Sequence, residues 1–110
     1  MPHYLVRFQF SSDSVKKLVG NPQDREAAGR KLVEGFGGKL HSYFFALGEY
    51  DGLGLCEFPD HVAVTAFSMS LAATGGFSKV DTLPLLTSAE AQAAMKRANE
   101  TKADYRPPNA

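Results

Sequence analysis

Two kinds of hydrophobic spacing divide the chain into strands and helices. From His3 to Phe10, aromatic and β-branched residues occupy every second position, which predicts a strand with one apolar face. Apolar residues at helical spacing occupy 23–36 and 61–74, and a pair of glycines follows each of these segments. Further apolar runs predict strands at 39–47, 53–58 and 77–86.

Two shorter segments complete the prediction. The residues Ser11 to Asp13 offer N-cap oxygens for a short helical turn that ends at Gly20-Asn21-Pro22. Thr87 or Ser88 caps an alanine-rich last helix, and an irregular tail follows it. We therefore divide the chain into a domain over residues 1–95 and a C-terminal part over 96–110, which holds the end of that helix and the tail.

The predicted element order is strand, helix, strand, strand, helix, strand, helix. This order is typical of an α+β ferredoxin-like βαββαβ sandwich with a four-stranded antiparallel sheet and an extra C-terminal helix. In this arrangement the first and fourth strands are neighbours, and Pro84 favours an edge position for the fourth. The two helices cover one face of the sheet and leave the other face for solvent, a pocket or a partner.

The second predicted strand favours a partner over solvent. Its two faces, both largely apolar, consist of Leu40/Ser42/Phe44/Ala46 and His41/Tyr43/Phe45/Leu47. Strands with two apolar faces are buried on both sides. We therefore expect the chain to pair sheet to sheet with itself, as a homodimer or higher oligomer of the dimeric α/β-barrel type.

Composition narrows the set of partners. The 12 basic and 12 acidic residues balance, and this balance argues against a nucleic-acid partner. No apolar run reaches the ~20 residues that cross a bilayer, and the start of the chain lacks the features of a signal peptide. With Cys56 as the lone cysteine, lying in an apolar run, we expect a cytoplasmic protein with a buried thiol and no membrane contact.

The segment Gly48-Glu49-Tyr50-Asp51-Gly52 combines two carboxylates with a phenol. Adjacent residues of a strand point to opposite faces, so Glu49 and Asp51 share a side that Tyr50 does not. The glycines and the Asp51-Gly52 pair are typical of a turn, in which Asp51 accepts hydrogen bonds from nearby backbone N–H groups. The geometry of a turn does not require a tyrosine at position 50. The ring and hydroxyl of Tyr50 suit the anchoring of a ligand or a neighbouring subunit.

The histidines offer a second candidate site. His3 and Arg7 share one face of the first predicted strand, and His41 and Tyr43 share one face of the second. Where these faces coincide with the uncovered side of the sheet, the four side chains line a cavity in which an imidazole acts as proton shuttle or haem ligand. The alternative is a polar rim around a dimer interface.

These patterns define the candidate residues. For ligand binding they are His3, Arg7, His41, Tyr43 and Tyr50, and for catalysis they are His41, Tyr50 and Asp51. No metal site is predicted, because no histidines or cysteines have the spacing of ligands on one element, and no cofactor is predicted. Arg7 is also expected to form an ion pair with the fourth strand, where Lys79 and Asp81 lie.

The chain resembles the GYD-domain family over roughly residues 1–95. The resembling segments, in the same order as in that family, are Asn21-Pro22, Phe36-Gly37-Gly38-Lys39-Leu40, Leu47-Gly48-Glu49-Tyr50-Asp51, Glu57-Phe58-Pro59-Asp60 and Thr82-Leu83-Pro84. The resemblance implies a ferredoxin-like fold of the dimeric α/β-barrel group. It implies no particular reaction, because fold kinship alone does not choose among the activities of related folds.

Three functions remain open at this stage. The first is a homo-oligomeric protein that binds a small organic molecule near the sheet face or the subunit interface. The second is a cofactor-free oxygenase or isomerase of the related barrel type, with His3, His41, Tyr43 and Tyr50 as the first residues to test. The third is an assembly module without a ligand. Pockets and their contents distinguish these functions.

Overall fold

A computed structural model describes residues 1–101 and 104–109, and this part of the chain holds four strands and four helices. Their order is β1 (His3–Phe10), α1 (Ser12–Gly20), α2 (Arg25–Gly35), β2 (Lys39–Phe45), β3 (Gly52–Glu57), α3 (His61–Ala73), β4 (Phe77–Leu85) and α4 (Ser88–Thr101). Both the element order and the antiparallel pairing confirm the predicted α+β ferredoxin-like sandwich with an extra C-terminal helix.

The sheet order is β2-β3-β1-β4, with every neighbouring pair antiparallel. The predicted neighbours β1 and β4 do pair, and Pro84 lies in β4 at the edge of the sheet, where a residue without an N–H is tolerated. Across the three strands β3, β1 and β4, the residues Leu55, Leu5 and Leu83 stand side by side.

Side-chain caps fix the beginnings of three helices. The side chains of Ser11, Asp24 and Asp60 each accept a hydrogen bond from the backbone N–H three residues later. At α4, Thr87 and Glu90 exchange side-chain and backbone hydrogen bonds as a capping box. These caps explain why each helix begins where the sequence offers a short polar residue.

The hydrophobic core lies between one face of the sheet and the helices α2 and α3. Its buried members are Tyr4, Val6, Val33, Leu40, Cys56, Phe58, Val64 and Phe67. Cys56 is buried as predicted, and burial raises the pKa of its thiol to about 11. The thiol is therefore neutral near pH 7 and behaves as a small hydrophobic group rather than as a nucleophile.

The opposite face of the sheet carries an apolar centre between two polar clusters, and we call it the open face. Along each strand, residues of the open face alternate with residues that face the core. The apolar residues of the open face are Leu5, Phe44, Leu53, Leu55 and Leu83. Phe44 is 62% exposed, and the four leucines are half-buried by their neighbours on the sheet. The helices α2 and α3 leave this surface uncovered.

Strand β2 differs from the simple alternation that its sequence predicts. The register between β2 and β3 shifts between Leu40 and Ser42, so that His41 has no partner in β3. His41 faces Glu57 on the open face, and the β-bulge after Leu40 places Tyr43 against the core on the helix side. The prediction that His41 and Tyr43 share one face of the sheet is therefore wrong. The extra residue between them reverses the alternation, so their side chains lie on opposite faces.

The C-terminal part contributes little to the core. Helix α4 has no buried residue between Ser88 and Thr101, and the proposed boundary after residue 95 falls inside it. Residues 104–109 form no helix or strand, while 102, 103 and 110 of the predicted irregular tail lie outside the described residues. Among the helices of the described ranges, none has the length and apolar character needed to cross a bilayer.

Candidate functional site

The loop between β2 and β3 is fastened to β1 through Asp51. The Oδ2 atom of Asp51 accepts a hydrogen bond of 2.8 Å from the backbone N–H of Phe10, and the N–H of Asp51 donates to the carbonyl of Phe8, also at 2.8 Å. Within the loop, the N–H of Ala46 donates to the carbonyl of Asp51. Asp51 was expected to accept hydrogen bonds from nearby backbone N–H groups of its turn, whereas its carboxylate bonds the backbone of β1, which is distant in the sequence.

The ring of Tyr50 lies over the open face. Its hydroxyl donates a hydrogen bond of 3.0 Å to Asp81 Oδ2, and the guanidinium carbon of Arg7 lies 4.4 Å from the ring centroid. The ammonium of Lys79 is 5.1 Å from the same centroid and 3.2 Å from Glu49 Oε1. Tyr50 therefore joins the loop to β1 and β4 through a hydrogen bond and cation–π contacts.

An ion pair anchors this polar cluster of Arg7, Tyr50, Lys79 and Asp81. The Arg7 guanidinium donates to Asp81 Oδ2, which confirms the predicted pair between β1 and β4. Hydrogen bonds from Arg7 and then from Tyr50 lower the pKa of Asp81, so its carboxylate is the charged acceptor for both. Glu49 and Asp51 contact different partners, and they do not form the paired carboxylates of an acid–base catalyst.

A second polar cluster occupies the other end of the open face. His41 Nε2 lies 2.5 Å from Glu57 Oε2, His3 Nε2 lies 4.0 Å from Glu57 Oε1, and the two imidazole rings stack at 5.8 Å. The sequence analysis predicted no metal site, yet ligand-type atoms of these three residues all fall within 4.8 Å of one another. Spacing along a single element does not indicate this cluster, because the three residues come from three strands.

A largely apolar cleft lies between the sheet and helix α2. It has a volume of about 80 Å³, and its walls include Val6, Phe8, Leu32, Tyr43, Cys56 and Phe77. Burial raises the pKa of Tyr43 to about 12, so the phenol beside this cleft is neutral near pH 7. Of the five predicted ligand-binding residues, Tyr43 alone lines this cleft, and the other four lie at the open face.

Two glycines leave room for the cleft. Gly29 lies inside α2, where a Cβ atom would contact the ring of Tyr43 at 3.6 Å, and Gly54 lies inside β3, where a Cβ atom would meet Leu40 at 3.3 Å. The sequence analysis did not identify the cleft. The available signal was the presence of glycine inside two regular elements, which indicates close approach of neighbouring groups.

The sheet order and the helix layer define a ferredoxin-like α+β domain in which a tyrosine–aspartate loop is fastened over one sheet face. The chain belongs to the GYD domain family, whose model matches residues 4–95. One of the segments that resemble this family, Leu47-Gly48-Glu49-Tyr50-Asp51, lies in that loop, where Tyr50 is on the open face and Asp51 bonds β1. Among proteins with curated functions, none matches the sequence significantly.

Solved structures share the fold at low sequence identity. A transcriptional regulator from Neisseria meningitidis, solved as a complex with L-Met, is 22% identical with a TM-score of 0.58, and the match covers 79% of this chain and 51% of that one. The structure of MtbAldR is 11% identical with a TM-score of 0.53, and the match covers 78% of this chain and 52% of that one. This chain thus corresponds to about half the length of each, and the likeness establishes the fold alone.

Proposed function

We propose that this GYD-domain protein is a homodimer that binds a small, mainly apolar organic molecule in the cleft between the sheet and α2. The observation that carries the proposal is the cleft itself, whose wall is largely apolar and also includes the neutral phenol of Tyr43, the neutral thiol of Cys56 and the basic residue Arg25. A concave apolar site with a few polar groups is the usual form of a small-molecule site. The volume of about 80 Å³ limits the ligand to a molecule no larger than a single ring.

The open face supports the homodimer. Its apolar centre, formed by the residues defined above, is the kind of contiguous patch that a second copy covers in a two-fold arrangement. The charged groups beside it are already neutralised within one subunit, because Arg7 bonds Asp81 and Lys79 bonds Glu49. Pairing two open faces would therefore bury no isolated charge from these residues.

Binding is favoured over catalysis by the positions of the candidate catalytic residues. Asp51 and Tyr50 hold the loop, and His41 lies on the sheet face opposite the cleft. None of the three reaches the walls of the cleft. The assembly-module alternative accounts for the open face but gives no role to the cleft.

Composition and fold are consistent with this proposal. The equal numbers of basic and acidic residues support a function without nucleic acid, and the unpaired thiol of Cys56 is typical of a reducing compartment such as the cytoplasm. The L-Met complex of the Neisseria regulator is a case of a small ligand bound by a protein containing this fold.

Leucine at position 29 is expected to block the cleft. The Cβ atom of Gly29→Leu starts in contact with Tyr43, and the rest of the side chain extends into the space proposed for the ligand. Benzene is the probe, because small dry apolar cavities take it up. We expect it to shift the backbone amide NMR signals of Gly54 and Cys56 in the wild type, and we expect its affinity to fall at least about tenfold in the variant.

Gly35→Leu is the matched control. Gly35 ends the same helix, and a Cβ atom there meets nothing within 4 Å, so benzene binding should equal that of the wild type. Far-UV circular dichroism verifies that both variants are folded. The proposal is contradicted when benzene leaves the wild-type signals unchanged, or when Gly29→Leu binds it as tightly as Gly35→Leu does.

A further inference from the structure

We propose that His3, His41 and Glu57 bind a divalent transition-metal ion of the Zn²⁺ type at one end of the open face. The three side chains come from β1, β2 and β3 and converge although they are far apart in the sequence. This proposal is independent of the ligand cleft, which lies on the other side of the sheet.

Strand register places the first two groups together. His3 of β1 is directly opposite Glu57 of β3, and residues opposite each other in antiparallel strands have neighbouring side chains on the same face. The carboxylate and the first imidazole are thus adjacent because of how the strands pair.

Strand β2 supplies the third group. His41 is the extra residue between the paired positions Leu40 and Ser42, and its ring is directed at Glu57. His41 lies on the side opposite its core neighbour Leu40, as alternation along the strand requires. The bulge changes the side of Tyr43, which packs against the core and not beside His41.

The distances are near those of a metal site. A tetrahedral Zn²⁺ ion with ligand bonds of about 2.0–2.1 Å holds its donor atoms about 3.3 Å apart. With one donor atom from each residue, the three atoms lie within 4.8 Å of one another, so the widest separation must shorten by about 1.5 Å at most, and the hydrogen-bonded 2.5 Å between His41 Nε2 and Glu57 Oε2 must lengthen by about 1 Å. Rotations of these partly exposed side chains accomplish both changes.

The donor set and its charge suit a transition metal. Two imidazoles with one carboxylate form the ligand set of many zinc and iron sites, and they leave coordination positions for water. Glu57 supplies a carboxylate charge opposite to that of the cation, and the two imidazoles bind through neutral nitrogens.

Zn²⁺ titration of tag-free, chelator-treated protein tests the site. Isothermal titration calorimetry above the ordinary histidine pKa should give one saturable ion per chain, and Co²⁺ substitution should give absorption bands of a low-coordinate site. His3→Ala, His41→Ala and Glu57→Gln should each weaken Zn²⁺ binding at least about tenfold. Thermal melts of the metal-free variants identify any that do not fold, and the remaining variants then decide the result.

The remaining histidine provides the control. His61 accepts or donates a hydrogen bond of 2.7 Å with the hydroxyl of Tyr4 and belongs to α3, so His61→Ala should bind Zn²⁺ like the wild type. The proposal is overturned when the wild type shows no saturable binding. It is equally overturned when a folded His41→Ala protein retains full affinity, or when His61→Ala loses as much affinity as the ligand variants.

Discussion

Replacing Leu55 by aspartate is expected to convert the dimer into a folded monomer. Leu55 lies at the centre of the open face, between Leu5 and Ser42, and its side chain points away from the hydrophobic core. In the proposed dimer two new carboxylates, one from each subunit, would be buried without a partner, at a total cost of about 3 kcal/mol or more, which raises the dimer dissociation constant at least on the order of 100-fold. Sedimentation velocity at several concentrations measures this change.

Val62→Asp is the matched control for that experiment. Val62 is 77% exposed on α3, which packs on the helix side of the sheet, and aspartate in the first turn of a helix is favourable. This variant should remain dimeric. An unchanged dimer in a folded Leu55→Asp protein would show that the open face is not the subunit contact.

Removal of the Asp51 side chain is expected to lower the free energy of unfolding by about 1.5–3 kcal/mol, the range for hydrogen bonds to charged groups. Asp51→Ala leaves the backbone N–H of Phe10 without its acceptor and frees the loop that carries Tyr50. Urea denaturation measures the loss of stability. Hydrogen exchange of the Phe10 amide should become faster in the same variant, which ties the loss to this bond.

Glu49→Ala tests whether the loss of any negative charge from this loop lowers the free energy of unfolding as much as the loss of the Asp51 side chain does. The Glu49 side chain is 73% exposed and pairs only with Lys79 among the described residues, and exposed pairs contribute about 1 kcal/mol at most. The stability of Glu49→Ala should therefore lie close to that of the wild type. Equal losses in the Glu49 and Asp51 variants would contradict the fastening role of Asp51.

The fold was predictable from local patterns. Alternation in β1, helical spacing in α2 and α3, and glycine pairs such as Gly75-Gly76 each indicate one element, and the order of elements admits few topologies. The ion pair between Arg7 and Asp81 also followed, because neighbouring strands are a consequence of that topology. The bond from Asp51 to Phe10 did not follow, because turn chemistry predicts local partners and this bond joins two strands.

The surroundings of the candidate sites were less predictable, because they depend on register. A single bulge separates His41 from Tyr43, and no residue type at that point specifies a bulge. The proximity of His3, His41 and Glu57 exists only across three paired strands, so spacing along the chain cannot reveal it. The cleft likewise arises where Gly29 of a helix passes Tyr43 of a strand, a contact that forms only in the packed molecule.

Native mass spectrometry of freshly purified, tag-free protein tests the central claim most directly, because it reports subunit number and retained small molecules together. The account predicts a species of twice the chain mass at micromolar concentration, together with a small organic molecule bound to each chain. A monomer of the bare chain mass under these conditions would contradict the account.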